Sequence, residues 1–120
     1  MSSKLSRTLA SVVLAGSVVM APIATAPAAN AAGCSLIDNT YLFGRVGYLW
    51  HCSDGYHGQI ANARGGDDVE LRYSSGGRWW TYSKVYVPSG STSANTAALP
   101  GGTVTVCIHA GDRPGYVSCT

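Results

Sequence analysis

The chain is short of charge, and the charge it carries cancels. Only 12% of its 120 residues are Asp, Glu, Lys or Arg. Lys4 and Arg7 belong to a leader. Without them Arg45, Arg64, Arg72, Arg78, Lys84 and Arg113 stand against Asp38, Asp54, Asp67, Asp68, Glu70 and Asp112, six against six. A zero balance gives no long-range pull toward nucleic acid or an anionic membrane. The longest apolar run, Leu9 to Ala24, is too short and too rich in Ala, Gly and Pro to span a bilayer stably. Pro22 and Pro27 also break any continuous helix there. No G-x-S-x-G elbow, ordered calcium loop, heptad or internal repeat occurs. These absences speak against a motif-bearing hydrolase, and no cofactor is expected.

What is present begins with the leader. A basic start, an apolar middle and a small-residue site in TAPAANAAGC describe a secretory signal peptide over residues 1–31, cleaved after Ala31. Lipidation of Cys34 is the competing reading. The residue three positions before it is Ala31, where such sites want a large aliphatic, and a lipidated Cys34 would leave another cysteine unpaired. The remaining 32–120 segment is expected to be one secreted domain and a monomer. A chain of this size buries only about 60–65% of its unfolded surface, so its core is marginal. Four cysteines in an exported protein are then most simply two disulfides. Of three connectivities, Cys34–Cys52 and Cys107–Cys119 are preferred because both close local segments. Strict alternation sets Cys107 opposite Val104, Val106 and Ile108, so its bridge lies outside the core or a strand bulges.

Turn signals punctuate short alternating runs every 10–12 residues or so. Thr40–Cys52 reads as a central strand, or as a hairpin broken near Gly44 or Gly47. Tyr56–Ala63 follows, then Asp68–Ser74 with Val69, Leu71 and Tyr73 inward. Thr92–Leu99 is weak, Thr103–Ala110 strong, and Tyr116–Thr120 short. No helix is credible after the leader. The fold class is all-β, an antiparallel sandwich or small barrel of six to seven strands with two disulfides.

The segment Gly76–Pro88, GGRWWTYSKVYVP, carries the most unusual face. A period of two sets Trp79, Thr81, Ser83, Val85 and Val87 inward, and Arg78, Trp80, Tyr82, Lys84 and Tyr86 outward. Rings of that size left in water are unusual unless something covers them. The cover is internal packing, an extracellular protein anchored on Trp, Tyr and Arg, or a polysaccharide stacked on the rings. Other constellations are weaker. His51 and His57 flank Cys52 and Asp54 but fall on different strands, and zinc would need reduced cysteine or a further ligand. Asp67, Asp68 and Glu70 read as a solvated turn.

Gly66-Asp67-Asp68-Val69-Glu70-Leu71, followed by Ser74 and Gly76-Gly77-Arg78-Trp79, resembles a pattern of small secreted bacterial β domains of uncharacterised function. The resemblance implies export and a β fold, and assigns no active residue. Two disulfides with a Trp/Arg/Tyr cluster are similar in kind to tendamistat-type α-amylase inhibitors. Those carry a Trp-Arg-Tyr triplet between their first two cysteines, which the segment Cys34 to Cys52 lacks, so no functional residue carries over. The expectation is a secreted, non-catalytic domain that binds an extracellular protein, such as a hydrolase it inhibits, through Arg78, Trp80, Tyr82, Lys84 and Tyr86. A carbohydrate- or cell-wall-binding module and a small secreted hydrolase are the alternatives.

Overall fold

The computed structural model describes residues 33–120, so the leader lies outside the described residues. Eight strands follow one another: β1 Ser35–Leu42, β2 Arg45–Cys52, β3 Gly55–Ala61, β4 Asp68–Ser75, β5 Arg78–Tyr86, β6 Ala94–Asn95, β7 Val104–His109 and β8 Val117–Cys119. They form two four-stranded antiparallel sheets, ordered β1-β2-β3-β6 and β5-β4-β7-β8. The architecture is therefore all-β as expected, the sandwich rather than the small barrel of the two forms left open, with eight strands in place of six or seven. None of the described residues forms a helix long and apolar enough to cross a membrane.

The additional strand comes from Thr40–Cys52, which is the hairpin alternative broken at Gly44. Its first arm starts at Ser35 and reads SLIDNTYL, where apolar and polar residues fall in blocks and give no alternating signal. Phe43 and Gly44 both take positive φ, 47° and 84°, as a two-residue turn between right-twisted strands requires. Gly76 and Gly77 do the same between β4 and β5, with φ of 63° and 77°. The Ala-rich stretch after Thr92 keeps only the two-residue strand β6, which pairs with β3.

Alternation fills the space between the sheets. Ile60, Val69, Leu71, Val106 and Ile108 are wholly buried, each contributing about 1.5–3 kcal/mol in removed apolar surface. Leu49, Ala63, Val87 and Ala94 complete the cluster. Gly47 lets the layers close: a Cβ there would lie 2.8 Å from Ile108 Cγ2, nearer than real Cβ atoms pack.

Both expected disulfides form, Cys34–Cys52 and Cys107–Cys119, with Cα atoms 3.9 and 4.0 Å apart. Each ties neighbouring strands within one sheet. Cys107 shares a rung with Glu70 and Cys119, while Val106 and Ile108 on either side fill the core. The second bridge thus lies on the outer face, and no bulge in β7 is needed.

The acidic stretch departs from its expected solvated turn. Asp67, Asp68 and Glu70 are all buried. Asp67 is 1% exposed and pairs with Arg45 at 2.9 Å from Nε and 3.2 Å from Nη2. Its carboxylate also accepts hydrogen bonds from the backbone N–H of Arg64 at 2.7 Å and of Gly111 at 2.8 Å. Arg45 donates further to Phe43 O and to Asp112 Oδ1. An isolated buried charge would cost far more than a turn could recover, and the partners supply what water would have. Asp68 is covered by His109, whose Nδ1 lies 2.8 Å from its carboxylate, and Glu70 by Arg72 and Thr81.

Two measurements follow. Burial raises the Asp67 pKa, but the hydrogen bonds from Arg45, Gly111 and Arg64 outweigh it and hold the carboxyl below its ordinary value. A depressed folded pKa gives stability that is complete above the unfolded value of about 4 and is lost as pH falls through the folded value. Asp67→Asn is therefore expected to lower unfolding free energy at neutral pH by about 3 kcal/mol and to flatten the acid limb of the stability curve. Urea titrations between neutral and acid pH test both. The Cys107→Ser/Cys119→Ser double variant is expected to lose about 3 kcal/mol; a wild-type midpoint would refute the bridge's role.

Candidate functional site

Strand β5 pairs only with β4 and forms the free edge of its sheet among the described residues. Beyond it the β4–β5 hairpin reaches past the core. From Ser74 through Tyr82 every residue is exposed, so neither face of this ribbon is covered. Trp79, Trp80, Tyr82 and Tyr86 are 50%, 42%, 44% and 59% exposed. Arg78 and Lys84 are exposed beside them.

The five residues expected on one face are nevertheless divided. The register slips between Leu71, opposite Ser83, and Arg72, opposite Thr81, leaving Tyr82 without a rung partner. This is a β-bulge, and it inverts the alternation beyond it. Val69–Val85 and Leu71–Ser83 keep the core-facing phase. Past the bulge, Arg72–Thr81 and Ser74–Trp79 face outward, while Tyr73–Trp80 and Ser75–Arg78 turn to the core side. The hydrogen bond from the Thr81 hydroxyl to the Glu70 carboxylate agrees with that assignment. Trp79 and Thr81, expected inward, are thus exposed. A period of two cannot carry a face across an inserted residue.

Cations sit on the rings on either side of the bulge. The Arg78 guanidinium lies 4.5 Å from the Trp80 ring centroid, and Lys84 Nζ lies 5.3 Å from that of Tyr86. Trp80 Nε1 donates to Ser75 O at 3.2 Å, which holds the indole across the ribbon. Lys84 is held above its ordinary pKa, first by Tyr86 and then by the charge of Asp68, so it stays cationic at neutral pH. The ribbon therefore offers two indoles on opposite faces, each with polar atoms at its margin.

A second exposed cluster escaped the sequence reading. Phe43 and Tyr116 meet edge to face at 5.2 Å, and Arg113 lies 4.3 Å over the Phe43 ring. Phe43 belongs to a turn and Tyr116 to the run before β8, so no periodic signal links them. The β2–β3 hairpin likewise brings together residues that spacing held apart. His57 Nε2 lies 2.8 Å from Asp54 Oδ1, and Cys52 lies beside both. His51 is not among them; its ring stacks on Tyr56 at 4.5 Å.

Exposure of the ribbon can be measured directly. Trp79 and Trp80 are expected to give a readily quenched fluorescence component in acrylamide, and Trp80→Ala to remove part of it with less than about 1 kcal/mol change in stability. Comparison with protein-family models, with curated proteins and with solved structures finds no match for this chain, so a functional reading rests on its own geometry.

Proposed function

We propose that this protein is a secreted, non-catalytic binding domain whose β4–β5 ribbon engages an extracellular protein. The observation that carries the reading is the exposure of both ribbon faces, with Trp79 on one and Trp80 on the other. Residues on two sides of a thin ribbon suit insertion into a cleft, which contacts both. A polysaccharide laid on a flat platform needs its rings on one face, and the bulge removes that. Trp, Tyr and Arg are also the residue types that concentrate binding energy at protein interfaces. The free edge of β5 adds unpaired backbone groups that an extended partner segment can join. A secreted hydrolase, whose active site is a cleft, is the partner class to test first. Export rests on the leader and agrees with the two disulfides.

The test is an inhibition and binding panel of secreted proteases and amylases, run beside pull-downs on chitin, cellulose and cell wall. The expected result is a protein target whose affinity falls at least about 30-fold in Trp80→Ala, matching a hot spot of 2 kcal/mol or more. Arg78→Ala should weaken binding less. Retention on a polysaccharide that Trp80→Ala abolishes would replace the protein reading with the glycan. Turnover of any substrate by the purified protein would overturn both.

A further inference from the structure

We propose that the Cys34–Cys52 bridge conceals a zinc site, opened by reduction and completed by Asp54 and His57. The geometry comes from the β2–β3 hairpin. Its two-residue turn, Ser53-Asp54, closes the rung between Cys52 and Gly55. Two rungs along, His57 sits opposite Trp50, on the face that Cys52 shares by alternation. Asp54 reaches back from the turn to His57 Nε2. One ligand atom from each of Cys52, Asp54 and His57 thus falls within 4.8 Å of the others. The Cys34 sulfur is bonded to that of Cys52 at 2.03 Å and lies outside this group of three while the bridge is intact.

With the bridge reduced, the Cys34 sulfur is free to swing in beside these three, and two sulfurs, an imidazole nitrogen and a carboxylate oxygen then make a four-ligand set of the kind that closed structural zinc sites use. With Zn–S of about 2.3 Å and Zn–N and Zn–O of about 2.0–2.2 Å, a tetrahedron sets its ligand atoms roughly 3.3–3.8 Å apart. The Asp54–His57 hydrogen bond at 2.8 Å has to open only slightly. Asp54 is also largely exposed, which leaves the ion a path from solvent.

Oxidised, the site is shut, because the metal ligand is a thiolate and disulfide sulfurs supply none. The opening step balances simply. An external dithiol gives two electrons and two protons to the Cys34–Cys52 bond and is itself oxidised to a disulfide. Zinc then binds the two cysteines as thiolates and displaces the two protons. Either link, covalent or metallic, closes the same segment between Cys34 and Cys52, so the ion can take over the clip when the bridge is lost.

The test titrates the purified protein, oxidised and dithiol-reduced, with Co2+ and then Zn2+ alone. Reduced protein is expected to bind one Co2+ with the thiolate charge-transfer and strong visible bands of a tetrahedral site. Zn2+ should displace it and raise the melting temperature; oxidised protein should give none of this. Asp54→Asn lies at the surface, whereas His57→Ala removes a largely covered side chain from the outer face, so the melting temperatures of both oxidised variants are measured to show that each folds. Each should weaken binding by more than about 100-fold, past the 10–100-fold typical of residues that merely support a ligand. The proposal is overturned if reduced protein binds no metal, if oxidised protein binds it equally, or if both variants match wild type.

Discussion

The ion pair between Arg45 and Asp67 is the constraint on which the arrangement of the molecule depends. Arg45 stands on the first strand after the β1–β2 turn, and Asp67 immediately before the first residue of β4, so the pair joins one sheet to the other. Such a pair adds little net stability, since desolvation offsets most of the attraction. Its contribution is selectivity. The Asp67 carboxylate is satisfied only when β2, the loop through Arg64 and the loop through Gly111 are all in place. A one-residue slip of β2 would move Arg45 to the opposite face and strand both charges. The pair therefore fixes where β4 begins, and with it the direction in which the β4–β5 ribbon leaves the core.

The fold was largely legible because its signals are local. Gly76-Gly77 marks a turn whatever surrounds it, and Val69, Leu71, Val106 and Ile108 alternate cleanly because both sheets are covered on one face only. Local closure also favoured the correct pairing of the four cysteines. The first arm of β1 was hidden because an exposed edge strand has no buried face to impose a pattern. Burial of Asp67 was hidden for the opposite reason. Its partner lies 22 residues away in sequence, and no spacing rule announces a long-range ion pair.

The candidate site was legible in composition and illegible in orientation. The sequence marked the β5 rings as needing a cover but left internal packing open, and their exposure is a finding of the structure. Which way each ring points depends on Tyr82, one inserted residue whose presence is decided by the register against β4. The bulge turns what alternation drew as a strip into a ribbon with an indole on each side. That changes the shape of partner it suits, from a flat surface to a cleft. The Asp54–His57 pair was missed in the same way, since the turn that unites them was read as the feature that separates them.

Both covalent links lie on the outer faces and join strands already hydrogen-bonded to each other. Neither spans the gap between the layers. Under tension applied across the sandwich, then, neither disulfide would bear the load, and the only covalent restraint would be the chain crossings between β3 and β4, β5 and β6, and β6 and β7. The two layers would part where side chains merely touch, each remaining a stapled sheet, with Arg45–Asp67 and Thr40–Ser118 as polar catches between them.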